Sequence, residues 1–317
     1  MRNRLAPIFL LLIISGAGFA HGIPGDRRKH NQQVERIVAA DARVTVSVCT
    51  LSGNFTVRGW DRKQVRARVN DAVDIELTRV NQNQSQPATE LKLTSKGRRS
   101  SDCLMSADVE LDVPRDGGVR IQTTNGDISV TGVATVNAVT TSGSMTIRDV
   151  RGETKATTIG GELSVRDSSG SFRLNSTGGS IDARDLKPVL AADAILASTV
   201  SGEVLLTHVQ HQHLSVSSVS GEIAYTGPLI RNGSYHLSSL SGEVRLAIPA
   251  NSSFRLLATV GAGVKIHSDF DLKYSENQNM TGEGNRGAPR RVSATVRTGD
   301  SAIKISILTG SLRIVTQ

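Results

Sequence analysis

The fold is decided by the stretch Val200-Ser201-Gly202-Glu203-Val204-Leu205-Leu206, which returns in the same residue classes at 219–225 and at 240–246. Each copy has a Ser-rich approach, a glycine, a polar residue, and apolar residues two and four places after the glycine. Earlier copies with the same order lie at 124–130 and 141–147. Apolar residues at every second position predict β-strands, and the bias toward β-branched and hydroxyl residues argues against helix.

The copies recur with a period that fits a stack of coils. The anchor positions are Gly126, Gly143, Gly161, Gly179, Gly202, Gly221, Gly242 and Ala262, spaced 17 to 23 residues apart, with further copies at Gly53 and Gly310. Each period also contains a second alternating segment before the glycine, such as 214–216. Two short strands per period predict an all-β, single-chain β-solenoid with coils of about 17–23 residues, wound as a right-handed β-helix. The alternative is a sandwich of antiparallel hairpins, which does not require the same residue classes to recur in register.

Stacked coils place equivalent residues about 4.8 Å apart, so the repeat predicts ladders of interior side chains. Three ladders are expected: Ile128, Met145, Leu163, Ile181, Val204, Ile223, Val244, Val264; then Val130, Ile147, Val165, Ala183, Leu206, Tyr225, Leu246, Ile266; and across the coil Ile121, Ala138, Ala156, Leu174, Ala197, Val216, Leu237, Leu257. The same alignment predicts that Val219 packs inside against Val200 and Leu240, whereas Ser217 points outward.

The chain is expected to contain one folded domain behind an export signal. Residues 1–20 are read as a signal peptide, 21–33 as a polar lead-in, and 34–317 as the solenoid domain. Within that domain, 34–118 form irregular N-terminal coils, 119–267 the regular coils, and 268–317 a loop and a C-terminal cap.

The N-terminus has the order of a secretory signal. Arg2 and Arg4 precede the apolar segment 5–14, and small residues lead to a cleavage point after Ala20. The apolar segment is short for a membrane span, although an uncleaved anchor is the alternative. We therefore expect an exported protein of the periplasm, the cell surface or the extracellular space, with no transmembrane segment after cleavage.

The charge and composition make nucleic acid a poor partner. Removing Arg2 and Arg4 lowers the net charge from +8 to 8 − 2 = +6, but the basic residues are scattered, and aromatic residues make up only 3% of the chain. The partner is expected to be an envelope component or another protein. The sequence indicates neither its identity nor the oligomeric state.

The two cysteines, Cys49 and Cys103, predict one disulfide in an oxidising compartment. Two buried free thiols are the alternative, because nothing in the local sequence requires the two to pair.

A column of carboxylates is the first candidate binding site. Glu203, Glu222 and Glu243 each follow an anchor glycine in consecutive coils, so they are expected to stack and repel one another. Such a column could bind calcium or a basic partner. The interpretation we favour is a solvated face that keeps the solenoid soluble.

Histidines form the second candidate site. His208, His211 and His213 follow one another closely, and His236 is placed on the same outer face one coil later. His211, His213 and His236 are therefore candidate ligands of a metal such as zinc, but the neighbouring Ser and Gln residues supply no obvious further ligand. No cofactor is expected.

The sequence favours a non-enzymatic protein. Serine and glycine are abundant because the repeat uses them, and no catalytic set interrupts the repeat. The alternative is a polysaccharide-acting enzyme on a β-helix scaffold. That reading predicts that Arg66, Arg68, Arg98 and Arg99 converge with a carboxylate in a groove.

At several of these motifs the chain resembles the bacterial putative-adhesin family, a domain of unknown function built of β-strand repeats. The resemblance rests on Val57-Arg58-Gly59-Trp60-Asp61, on the apolar strand 108–114 ending in proline, on the Ser-Gly-Glu corners, and on 266–270 before the last loop. It covers about residues 34 to 317 and implies export and a solenoid fold. It brings no catalytic residues.

Overall fold

The computed structural model describes residues 33–70, 74–80, 86–96, 103, 106–274 and 290–317, and all regular secondary structure there is β-strand. The predicted signal 1–20, nearly all of the lead-in, and Arg98 and Arg99 lie outside the described residues. No helix within the described ranges is long and apolar enough to cross a membrane.

The strands fall into three groups along the chain. The N-terminal group is β1 (Val34–Ser52), β2 (Phe55–Trp60), β3 (Gln64–Val69), β4 (Ile75–Arg79), β5 (Ala88–Ser95) and β6 (Val109–Pro114). The middle group is β7 (Gly118–Asn125), β8 (Ile128–Thr131), β9 (Thr135–Ser142), β10 (Met145–Arg148), β11 (Thr154–Thr158), β12 (Leu163–Arg166), β13 (Phe172–Ser176), β14 (Ile181–Arg184), β15 (Ala194–Ser201), β16 (Val204–Thr207), β17 (His213–Ser220) and β18 (Ile223–Thr226). The C-terminal group is β19 (Ser234–Ile248), β20 (Phe254–Val260), β21 (Lys265–Ser268), β22 (Lys273–Tyr274), β23 (Arg290–Val296) and β24 (Ser301–Thr316).

The middle group confirms the β-solenoid. Strands before each glycine pair in parallel with their equivalents one coil away, as β15 does with β17, and we call this stack A. Strands after each glycine do the same, as β16 does with β18, and form stack B. The register matches Val204 with Ile223 and Leu206 with Tyr225, and all four side chains are fully buried. Residues two apart on each strand thus form the continuous core that a single coil could not bury alone.

The N-terminal group mixes parallel and antiparallel pairing. The second half of β1 lies between β5 and β7 in stack A, whereas β2 lies between β6 and β8 in stack B. The coil around Gly53 therefore stacks directly on the coil of Gly126. β3 pairs antiparallel with both β1 and β6, and β4 pairs antiparallel with β5.

The C-terminal end corrects the predicted ladders, because β24 lies between β19 and the coil formed by β20 and β21. Leu237 pairs with Ile305 and Ile305 pairs with Ala258, so Leu257 is not a member of the third ladder. In stack B, Val244 is followed by Leu312 and then by Ile266, which shifts Ile266 out of its predicted row. The prediction was wrong because it stacked coils in chain order. The glycine of the β24 coil, Gly310, pairs with Gly242, whereas Ala262 belongs to the outer coil.

The predicted inward position of Val219 is also wrong. Alternation along β17 buries Leu214, Val216 and Ser218, and leaves Val219 exposed to solvent. The strand turns at the glycine immediately afterwards, so a short hydroxyl residue fits the narrow interior beside the corner, whereas the larger apolar side chain lies outside.

Candidate functional site

The glycine corner between stacks A and B fixes the position of the side chains around it. Gly202, Gly221 and Gly242 have φ angles of 140°, 137° and 149°, a region that favours glycine. A Cβ on Gly221 would overlap the carbonyl oxygen of Gly202 in the adjacent coil. The coils therefore approach backbone to backbone here, and the residues on both sides of the corner are aligned in straight columns.

Exposed apolar side chains form one of these columns, two places before the corner. The apolar column consists of Val200, Val219, Leu240 and Leu308, which are 48, 44, 49 and 55% exposed. They belong to β15, β17, β19 and β24, which are successive neighbours in stack A. Four large apolar side chains in register on four adjacent strands make a continuous stripe, unlike the single exposed apolar residues found on most surfaces.

A groove runs beside the apolar column on the outer face of stack A. Its floor is a row of small hydroxyl residues on adjacent strands, and its volume is about 480 Å³. The floor residues are Ser217, Ser238, Ser306 and Thr259. Val219, Leu240 and Leu308 form one wall. Because small side chains stand between larger ones, the face has a trough along the solenoid axis, which we call the hydroxyl trough.

The predicted glutamate column lies on the other side of the glycine corner from the apolar column. Glu203, Glu222 and Glu243 each follow the corner glycine, in adjacent coils. Partial burial, together with the charges of Glu203 and Glu243, raises the pKa of Glu222 above its ordinary value. Glu243 has the Arg313 guanidinium 3.9 Å away and accepts a 3.3 Å hydrogen bond from Ser311. Within the described part of the chain neither Glu203 nor Glu222 forms an ion pair, although the positive charge of Arg245 partly opposes the rise in the pKa of Glu222.

The structure does not bring the predicted metal ligands together. His211 is completely buried, with Nε2 2.7 Å from the Gly170 carbonyl oxygen and its ring edge-on to Phe172. His213 and His236 lie on the outer face of stack A, in different rows. His211 points inward because it precedes β17, in the return loop of its coil. Within the described ranges no group of three or more His, Cys, Asp or Glu side chains is placed so that it could hold one metal ion.

The structure contains a second groove, with a volume of about 760 Å³, that the sequence did not predict. It is lined by Asp149, Asp167, Asp185 and His208, with Arg151 and Lys187 nearby. The first four have φ angles of 51–55° and follow stack B strands in successive coils; we call them the aspartate corner. The signal that could have revealed it is the Arg-Asp dipeptide at 148–149, 166–167 and 184–185.

Two of the four arginines proposed for an enzymatic groove, Arg66 and Arg68, lie beside the same carboxylate, that of Asp112. Arg66 lies 2.8 Å from Asp112, whose side chain is almost buried, and Arg68 lies 2.8 Å from Glu110. Both guanidinium groups therefore have carboxylate partners between β3 and β6. Arg98 and Arg99, the other two members of the proposed set, are outside the described residues.

The two cysteines are joined in the structure, with their Cα atoms 4.7 Å apart and a sequence separation of 54. Cys49 lies on β1, and Cys103 belongs to the segment between β5 and β6. The bridge thus joins β1 to residue 103.

One family model matches most of the chain. Residues 23–305 match the model of the family described as Toastrack DUF4097. None of the curated proteins matches the chain. A solved structure titled as a putative cell adhesion protein from Clostridium sporogenes is 10% identical, with 90% of this chain and 100% of that chain covered and a TM-score of 0.22.

Proposed function

The chain belongs to the Toastrack DUF4097 family, a β-repeat domain of unknown function, and we propose that it is an exported, non-enzymatic solenoid. It binds an envelope component or a protein partner through the hydroxyl trough and the apolar column. The observation that carries the proposal is the row of four exposed apolar side chains on adjacent strands. Such a stripe costs free energy in water and is the kind of feature that marks an interaction surface.

The scaffold suits recognition because it holds these side chains in fixed positions. Each strand of stack A is paired on both sides around the trough, and the ladders beneath it are fully buried. A partner would therefore meet a preformed surface, which lowers the conformational entropy lost on binding.

Export is proposed from two independent features. The order of arginines, apolar segment and small residues in 1–20 is that of a signal peptide, although these residues lie outside the described ranges. The Cys49–Cys103 disulfide is of a kind that persists in oxidising compartments. We propose that the protein is located in the periplasm, at the cell surface or in the extracellular space.

A binding role without chemistry fits the character of the trough. One wall of the trough consists of Val and Leu side chains, which cannot activate a nucleophile by accepting its proton. The hydroxyl groups of the floor offer hydrogen bonds, and the wall offers apolar contact. This combination of polar and apolar contact suits recognition.

The proposal is tested by capture from envelope fractions with three forms of the mature chain. Leu240→Glu places a charge in the apolar column, whereas Val139→Glu makes the same change at an exposed stack A position outside it. We expect quantitative mass spectrometry to find a component bound by the wild type and by Val139→Glu but lost with Leu240→Glu. Equal capture by all three forms would refute the proposed surface.

A further inference from the structure

We infer that the hydroxyl trough accepts an amphipathic α-helix that lies along the solenoid axis, with its apolar stripe on the apolar column and a basic flank against the glutamate column. This inference rests on the proposed function and names the chemistry of its partner. It is carried by the spacing of the columns, by the shape of the trough and by the distribution of charge across it.

The spacing of the apolar column fits a helix. Adjacent strands place Val200, Val219, Leu240 and Leu308 about 4.8 Å apart, so the column extends about 14 Å over three steps. A helix presents one side-chain position per turn of about 5.4 Å, or about 16 Å over three turns. Residues at i, i+4, i+7 and i+11 of a helix can therefore each contact one member of the column.

An extended segment fits less well. Its side chains on one face recur about every 6.7 Å, or about 20 Å over three steps, so it loses register with the column after one or two contacts. The edges of the trough strands are already paired within stack A, so an extended partner could not add to the sheet there.

The distribution of charge on the two sides of the trough indicates which charged side chains the partner carries. On one side, beyond the apolar column, Glu203 and Glu222 form no ion pair among the described residues, and Arg245 is the cation whose charge acts on Glu222. On the other side, His236 and Lys304 are adjacent in register on β19 and β24. A helix whose apolar stripe is flanked by Lys or Arg on one side matches this asymmetry, because its cations neutralise the glutamate column and stay away from Lys304.

The raised pKa of Glu222 points the same way. A folded-state pKa above the ordinary value means that the ionised carboxylate is disfavoured in the free protein. A cationic side chain docked beside it removes that penalty, so binding of a basic helix should lower the pKa of Glu222.

The test uses a synthetic peptide of about 18 residues, which is about five helical turns, with Leu along one stripe and Lys on one flank. One control peptide has the same composition in scrambled order, and another carries Glu in place of every Lys. Binding is measured by titration calorimetry, and peptide helicity by circular dichroism. We expect the basic amphipathic peptide to bind and gain helix, whereas neither control binds.

Variants of the chain locate the contact. Leu240→Glu should weaken binding at least tenfold, and the Glu203→Gln, Glu222→Gln, Glu243→Gln triple variant should weaken it and abolish its dependence on salt. Val139→Glu should bind as the wild type does. Thermal unfolding of each variant checks that the fold is intact, since all of these side chains are at least partly exposed.

Several outcomes overturn the inference. Equal binding of the scrambled or acidic peptide, binding without helix formation, or indifference to Leu240→Glu would each do so. Self-association that Leu240→Glu abolishes, measured by analytical ultracentrifugation, would instead identify a second copy as the occupant. If the peptide does not bind but envelope capture still depends on Leu240, the proposed function survives and only the helix is wrong.

Discussion

The glycine corner and the aspartate corner both turn the chain at the end of a strand, but they do so with different backbone conformations. Both contain residues with positive φ in successive coils, at 137–149° for Gly202, Gly221 and Gly242 and at 51–55° for the aspartate corner. At the glycine corner a Cβ would overlap the backbone of the adjacent coil. At Asp167 the side chain extends into solvent.

The difference shows that positive φ alone does not demand glycine. The left-handed region near 50–60° is open to Asp, Asn and His at modest cost, provided that space exists for the side chain. Close approach of two backbones is the stricter condition. The repeat is therefore nearly invariant at the glycine corner, whereas the aspartate corner uses Asp or His and can carry charge.

The largest expected effect is at the glycine corner. Gly221→Ala forces a Cβ against the Gly202 carbonyl and places an alanine at a φ of 137°, so we expect a loss of at least about 3 kcal/mol of unfolding free energy. Urea denaturation gives the value. The matched change Asp167→Ala should cost only about 1 kcal/mol, and equal losses would contradict the distinction between the corners.

A second comparison varies the side chain within the aspartate corner. His208→Val puts a β-branched residue at a φ of 53° and should cost about 2 kcal/mol, whereas His208→Gly should stay within about 1 kcal/mol of the wild type. Thermal melts of the two variants suffice. If valine were tolerated as well as glycine, the left-handed conformation would not be what limits residue choice there.

The segment that leads from the aspartate corner into β17 should make stability depend on pH. Burial lowers the pKa of His211 below 6.5, although the Gly170 carbonyl and Asp193 oppose the shift. The unfolded chain then binds the proton more readily than the folded chain does. The contribution of neutral His211 to the free energy of unfolding is therefore fully present above pH 6.5, and it is lost as the pH drops below 6.5, by at most about 1.4 kcal/mol per pH unit.

Denaturation of wild type and His211→Gln at pH 7.5, 6.5 and 5.5 tests this dependence, because glutamine can keep a hydrogen bond to Gly170. The variant should be less sensitive over this range. An identical slope in both proteins would show that His211 does not cause it.

The smallest expected effect is at the glutamates beside the glycine corner. There a lower pH should stabilise the protein, whereas at His211 a lower pH destabilises it. Since the pKa of Glu222 is raised, its ionised form destabilises the fold as the pH rises through that pKa, and the penalty disappears at lower pH. Glu222→Gln should therefore stabilise the protein at pH 7 by about 0.5 kcal/mol or less, and less still at pH 4. A loss of stability at pH 7 would mean that Glu222 makes a favourable contact.

Much of the regular region could be predicted from the sequence, because each coil repeats the same local signals. Apolar residues two and four places after the glycine marked the buried positions of stack B, as Val204 and Leu206 show. Val219 was misplaced because residue type was given more weight than alternation. The alternation of β17 already assigns Ser218 to the interior, where its hydroxyl is buried without a hydrogen-bond partner.

The C-terminal order and the trough could not be predicted in the same way. Whether the Gly242 coil is followed by 254–268 or by β24 depends on the pairing of strands far apart in sequence, and both segments alternate well. The trough depends on which columns face outward together, so it became visible only once the register of four strands was known. The buried position of His211 was not predicted for a related reason. His211 lies in the return loop, where the alternation of a strand does not determine which way a side chain points.

The position of β24 between β19 and β20 also limits the order in which the strands of the protein can pair. A ribosome or a translocation pore delivers the chain from its N-terminus, so β19 and β20 both emerge before β24, the strand that must separate them. Until then β19 presents an open edge that could pair with the wrong neighbour, either β20 or a second nascent chain. In a chain that ends before residue 301, β24 is missing and the edge of β19 stays unpaired. Such a truncated product should aggregate, even though every coil up to Gly242 is intact.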